Sequence, residues 1–187
     1  MRSARDLDPV LVLPGLGDSG PQHWQTLWLA GRPGFRRVEQ ADWEAPHCSD
    51  WVARLDAAVQ KAGAQALLVA HSAACSLVAH WVAAYGKKVR GALLVGPSDT
   101  EAPSYPVGPT GFAPMPLVRF PFVSTVVASA DDPYVSLDRA ELFARAWGSR
   151  FVNVGSAGHI NSASGLGSWP AGLELLEELK ARGSSGS

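Results

Sequence analysis

Five short apolar runs recur along this chain, "PVLVL" (9–13), "QALLVA" (65–70), "GALLVG" (91–96), "FVSTVVAS" (122–129) and "RFVNVG" (150–155), with "FRRVEQ" (35–40) as a weaker sixth strand. Longer amphipathic segments separate most of them. Strands that stay apolar throughout, rather than alternating with polar residues, belong in a sheet covered on both faces. Strand and helix in alternation predict a parallel sheet with right-handed crossovers and helices on both sides. The predicted helices open at Pro21, a natural first helical residue, at Ser49 or Asp50 as caps for 50–62, and near Ala73 for 73–85. Two more cover 136–148, stopped by Gly148, and 170–181. In the third, Cys75, Val78, Val82 and Tyr85 share one face. Ligands of such sheets bind beyond the carboxyl ends of the strands.

The 187 residues suit one domain, read as 1–181, with the Gly/Ser-rich 182–187 as a disordered tail. A net charge of −1 argues against nucleic acid or an anionic membrane as the main partner. No run of about 18 apolar residues predicts a membrane span. The opening "MRSARDLDPV" has no apolar signal-peptide core. The expectation is a cytoplasmic protein with Cys48 and Cys75 reduced. One segment breaks the rhythm: 97–121 holds seven prolines. It reads as an ordered, proline-stiffened loop beside the site, although composition alone would also allow a solvated linker.

The first apolar run leads into Gly15-Leu16-Gly17-Asp18-Ser19-Gly20, which spells the dinucleotide fingerprint G-x-G-x-x-G. In that fingerprint the third glycine lies inside the helix, packed on the strand. Pro21 would then fall within the helix, where its ring and missing N–H are costly. A helix starting at Pro21 itself is cheaper. Glu39 stands roughly where the ribose-binding acid belongs, so a nucleotide site survives as a weakened alternative.

A second reading comes from "LLVAHSAACSLVAHW". Ser72 sits where a buried strand turns into an amphipathic helix, the setting of a nucleophile elbow. Ala70 and Ala74 replace the usual glycines, and a plain helix cap is the bland account of Ser72. A serine hydroxyl needs a base, and the base needs a carboxylate. "VVASADDPYVS" offers Asp131 and Asp132 after the next-but-one strand, and "NVGSAGHINSASG" offers His159 after the last. The chain order Ser72, Asp132, His159 is that of α/β-hydrolases. Each alone could be a turn or loop residue; all three in order and context favour one shared explanation. The glycine loop then supplies an oxyanion donor at Leu16, and the residue after the nucleophile, Ala73, supplies the other.

"LPGLGDSGPQHWQTLW", "AHSAACSLVAHW", "ASADDPYVS" and "GHINSASGLGSWPAG" together resemble the small serine hydrolases of the RBBP9/YdeN family, within the α/β-hydrolase superfamily. The resemblance runs from about Pro9 to Leu179. It implies a compact α/β-hydrolase fold of six parallel strands in the order 2-1-3-4-5-6, without a cap domain. It implies a triad of Ser72, Asp132 and His159, no cofactor and no metal. Asp132 precedes a proline, as the superfamily's acid usually does, while Asp131 keeps the choice open. Relatives often carry glycine where Ala74 stands. Gly15, His23 and Trp24 fall near the substrate on this resemblance, though helix packing serves the last two equally well. A protein partner stays open, since the family's name comes from a protein-binding role.

The remaining polar residues have plainer readings. His71 should pack away from the serine, Asn161 and Ser162 should brace the loop of His159, and Trp169 should pack against it. Cys75 is a buried, inert thiol. Cys48 beside His47 lacks the companions a metal site needs. The functional expectation is a small-molecule ester or related acyl substrate, cleaved through an acyl-enzyme, with short acyl chains favoured. The rival is a binding module on a hydrolase fold with little or no catalysis.

Overall fold

The computed structural model describes residues 8–184, and each of the six expected strands forms. In chain order the elements are β1 (Val10–Leu13), α1 (Trp24–Gly31), β2 (Phe35–Arg37), α2 (Cys48–Ala62), β3 (Leu67–His71), α3 (Ala73–Tyr85), β4 (Gly91–Val95), β5 (Val123–Ala128), α4 (Leu137–Trp147), β6 (Arg150–Asn153) and α5 (Pro170–Ser184). A single 3-10 turn, Ser162–Ser164, lies between the last two. The sheet order is β2-β1-β3-β4-β5-β6 and every pairing is parallel. This is the compact α/β-hydrolase architecture expected, with β1 bordering β3, the strand that leads to Ser72.

Continuous apolar runs divide between two cores because successive side chains of a strand point to opposite faces. Leu11, Leu13, Leu68, Ala70, Ala92, Leu94, Val126 and Ala128 join α2, α3 and α4 in the larger core. Val10, Val12, Leu67, Val69, Leu93, Val95 and Val127 join α1 and α5 in the smaller one. Five tryptophans, at 24, 28, 51, 81 and 147, are under 2% exposed. Each contributes on the order of 2–3 kcal/mol of apolar burial. A buried indole N–H also needs an acceptor. All five have one: Ile160 O, Ser168 O, Asp42 O, Asp56 Oδ1 and Pro116 O respectively.

Strands are trimmed by one to three residues, and three helix ends differ from the sequence expectation by two residues or more. Helix α1 begins at Trp24 rather than Pro21. His23 occupies the cap and its Nδ1 accepts from the Gln25 N–H, while Pro21 and Gln22 form the preceding turn. Helix α2 begins at Cys48, with His47 rather than Ser49 or Asp50 at the cap position and no side-chain capping bond. Helix α5 continues through Ser184, so residues 182–184 are helical rather than tail. The tail residues 185–187 lie outside the described residues. What holds the extra turn is packing: a Cβ on Gly183 would come within 2.7 Å of the Arg90 carbonyl oxygen.

The proline-rich segment 97–121 has neither helix nor strand, yet it buries Phe112, Met115 and Phe120 in the larger core. Thr110 bridges to His47 in parallel fashion. The segment is therefore an ordered loop, and its first part reaches the site described below. Among the described residues no helix is long and apolar enough to cross a membrane.

Candidate active site

Ser72 joins β3 to α3 with φ +60° and ψ −126°. An L-residue held there stores on the order of 1–3 kcal/mol of backbone strain, which the surroundings must over-determine. They do: the Ser72 N–H donates to the Val95 carbonyl, and Ala70 and Ala74 are fully buried on either side. Alanine is small enough for this turn, so the missing glycine at 74 does not open the elbow. Ser72 sits at the helix cap but makes no side-chain capping bond. Its hydroxyl is committed elsewhere, which removes the plain helix-cap reading.

That hydroxyl lies 2.9 Å from His159 Nε2. On the other side of the ring, His159 Nδ1 is 2.9 Å from both carboxylate oxygens of Asp132. The Asp132 side chain is 0% exposed. Because an ionised carboxylate only accepts, the shared proton sits on Nδ1, leaving Nε2 as an acceptor for the Ser72 O–H. The neighbouring acid has different contacts. Asp131 Oδ1 accepts from Ser129 Oγ and from the Gly158 N–H, one residue before the imidazole. Those two bonds hold its carboxyl below the usual range. Asp131 thus steadies the loop, while Asp132 touches the ring.

The glycine loop passes over Ser72. A Cβ on Gly15 would fall 2.8 Å from Ser72 Cβ and 3.0 Å from the His71 carbonyl oxygen, so only glycine fits. A Cβ on Gly20 would meet nothing within 4 Å. The third glycine of the fingerprint therefore does not pack on a strand as a dinucleotide helix requires. Among the described residues the N–H groups of Leu16 and Ala73 have no hydrogen-bond partner. Gln25 ties the loop down: its Nε2 donates to the Leu13 and Val69 carbonyls, and its Oε1 accepts from Ser19 Oγ. Nothing in the sequence singled out Gln25. A buried amide at the first turn after a glycine loop was the available signal.

A cavity of about 400 Å³ opens onto Ser72, with Gly15, Leu16, His23, Ser98, Tyr105 and Tyr134 among its walls. His23 is 4% exposed, and burial with the nearby His159 lowers its pKa to about 4. Trp24 differs from expectation. It is 1% exposed and absent from the wall; its Nε1–H donates to the Ile160 carbonyl, directly behind His159. It braces the histidine loop instead of meeting substrate, because the helix turn that points His23 at the cavity points Trp24 into the smaller core. Trp169 packs 5.0 Å from Trp24, and Asn161 caps the 3-10 turn with Ser164, whose hydroxyl holds the Ala157 carbonyl.

His71, expected to pack away from the serine, lines the same cavity beside His159, and in the hydrogen-bonding role expected of it donates from Nε2 to the His159 carbonyl. Burial keeps its pKa well below that of a free histidine. Burial also pushes the Cys48 thiol up to about 12 and Cys75 higher, so neither is a nucleophile. The sequence reading missed two residues of importance. Ser98, on the proline-rich segment, places its Oγ 2.8 Å from Ser72 Oγ. Tyr134, two residues after Asp132, donates its N–H to Asp132 Oδ1 and lays its ring edge-on to His159.

Known proteins share this arrangement of elements. A YdeN-like hydrolase from Pectobacterium atrosepticum superposes with a TM-score of 0.81 at 29% identity, over 92% of this chain and 90% of that one. The YdeN gene product of B. subtilis gives 0.76 at 20% identity, over 93% and 99%. Est1E from Butyrivibrio proteoclasticus gives 0.63 at 9%, over 92% and 88%, a likeness of fold alone. Comparison with curated proteins returned no match. The serine hydrolase family model spans residues 10–178, nearly the whole described chain, and the protein belongs to that family, on the YdeN side of the α/β-hydrolases.

Proposed function

We propose that this hydrolase cleaves a carboxylic ester, or a closely related acyl bond, through an acyl-enzyme on Ser72. The observation that carries this reading is the unbroken line from Asp132 through His159 to Ser72, each step 2.9 Å. Ser72 Oγ attacks the acyl carbon as its proton passes to His159 Nε2. Asp132 orients the ring and balances its charge. The N–H groups of Leu16 and Ala73 receive the developing oxyanion, and such donors are each worth roughly two to three orders of magnitude in rate. His159 returns the proton to the departing alcohol, then activates water to free the acid. Apart from the hydrolytic water, every catalytic group this cycle uses belongs to the chain itself.

The cavity's volume, near the small end of ligand pockets at about 400 Å³, favours a short acyl group. The two free, buried thiols suit a reducing, cytoplasmic setting. The test is labelling by a fluorophosphonate, followed by turnover of p-nitrophenyl esters of rising chain length. The expected result is labelling of the wild type, none of Ser72→Ala, and faster turnover of acetate and butyrate than of long-chain esters. A wild type that neither labels nor turns over esters sinks the reading and leaves the protein-binding module.

A further inference from the structure

Ser98 follows β4 and is 5% exposed, yet it lines the cavity and meets the nucleophile at 2.8 Å. The direction of that bond follows from proton counting. Asp132 accepts the Nδ1 proton of His159, so Nε2 accepts the one proton of Ser72. Ser72 has no second proton to give. Ser98 is therefore the donor, and Ser72 Oγ is the acceptor.

The segment carrying Ser98 is anchored on both sides. The Gly96 N–H donates to the Val127 carbonyl, and the Asp99 N–H donates to the Tyr134 carbonyl. Asp99 also holds Arg139 through two bonds of 2.8 and 2.9 Å. A Cβ on Gly96 would lie 3.3 Å from Asp132 Oδ2 and 3.3 Å from the His159 carbonyl, and the turn needs φ +55°. The chain thus threads directly under the acid and the base before presenting Ser98. Its position depends on the same loop, Asp132 to Tyr134, that supplies the carboxylate.

We propose that Ser98 is a fourth catalytic residue, holding the Ser72 oxygen in the resting enzyme and passing its hydrogen bond to the departing alcohol oxygen. The proposal rests on the ester-cleavage reading above. When the bond from Ser72 Oγ to the acyl carbon forms, the Ser72 proton goes to His159 Nε2. Oγ then becomes an ester oxygen, a poor acceptor, and the Ser98 O–H is released beside the reacting carbon. The bond from that carbon to the alcohol oxygen breaks next, and the electron pair stays on that oxygen. His159 delivers the proton, while Ser98 donates a hydrogen bond to the same oxygen and keeps its own proton. No other reactant is needed.

The test is a series of acetate esters whose alcohols range from p-nitrophenol to ethanol, with wild type, Ser98→Ala and Ser98→Thr. For Ser98→Ala, kcat/KM should fall about tenfold or more on the ethyl ester and less than about threefold on the nitrophenyl ester. A steeper dependence on leaving-group acidity is the signature. Ser98→Thr, which keeps the hydroxyl, should restore the wild-type slope. Thermal melting checks that each variant folds, and the threonine variant carries the test should the alanine variant not fold. An equal fall across the series, or a threonine variant as impaired as alanine while both melt normally and label with fluorophosphonate, overturns the role of Ser98 alone. Failure of the wild type to label overturns the ester reading and this proposal together.

Discussion

Ser72 and His159 meet at the carboxyl edge of the sheet but are held differently: Ser72 by the strand ends around it, His159 from a great distance in sequence. The elbow needs the end of β3, the Val95 carbonyl at the end of β4, two buried alanines and the strained backbone of Ser72 itself. The loop of His159 leans on Trp24, 136 residues away from its partner Ile160, and on Trp169, which stacks against Trp28. Local packing can hold a single turn because strand and helix enter it from fixed directions. A loop after the last strand has no such guides, so its geometry is borrowed from a tryptophan cluster in the smaller core. The nucleophile and the base are thus exposed to different kinds of damage.

The largest expected effect separates the two adjacent acids that meet this loop. Asp132→Asn turns a carboxyl oxygen into a donor facing the Nδ1 proton, forcing the wrong tautomer on His159. Turnover should fall by roughly 10⁴. Asp131→Asn keeps an acceptor for Ser129 and Gly158 and should stay within about tenfold of wild type. Comparable losses for both variants in kcat measurements would mean that the acids share the task.

Next is Gly15→Ala on the nucleophile side. Its Cβ would collide with backbone and Cβ atoms rather than a flexible side-chain tip, so the loop must lift. With Leu16 displaced, kcat should drop about 10²-fold or more, with circular dichroism unchanged. Wild-type turnover in this variant would remove the Leu16 N–H from the mechanism.

A smaller effect contrasts the two cores directly. Trp24→Phe strands the Ile160 carbonyl next to His159, and Trp147→Phe strands the Pro116 carbonyl far from it. Both should lose on the order of 1–3 kcal/mol of stability in urea unfolding. Only Trp24→Phe should also lose activity, about tenfold. Equal activity in the two variants would show that the histidine loop does not depend on its tryptophan brace.

The mildest prediction concerns acid. His23 and His71 are both held neutral by burial, His23 down to about 4. Above pH 6.5 neither state of the protein binds these protons, so they add no pH dependence. Between pH 6.5 and about 4 the unfolded chain takes up a proton at each histidine and the native state does not, so stability falls with acidification. The His23 share is on the order of 3 kcal/mol over that window. Melting temperature should decline from pH 7 to 5, and His23→Gln should flatten the decline. An invariant melting temperature over that range would be inconsistent with buried neutral histidines.

Much of this was legible in the linear chain because it rests on local patterns. Continuous apolar runs specify a sheet covered on both faces. A serine between a buried strand and a helix allows an elbow or a plain cap, and an acid and a histidine after later strands, on the same edge because all strands run one way, favour the elbow. The choice between Asp131 and Asp132 was not legible. Adjacent carboxylates differ only in where the chain turns after β5, and that turn is set by contacts with the loop of His159. Trp24 was misplaced for a related reason: next to His23 in sequence, it lies on the other side of the helix start, and one residue of rotation sends it into the core. Ser98 was invisible because its segment carries no periodic signal; its place comes from anchors on Val127, Tyr134 and Arg139.

By itself, then, the sequence determined the α/β architecture, the strand-to-helix setting of Ser72 and the order of its partners, since these follow from strand periodicity and parallel connection. Only the tertiary structure decided which acid meets the imidazole, why Gly15 must be glycine, that His23 rather than Trp24 faces the cavity, and that Ser98 touches the nucleophile. These are contacts between segments 26 to 136 residues apart, at distances of about 3 Å, and local pattern holds no information at that range.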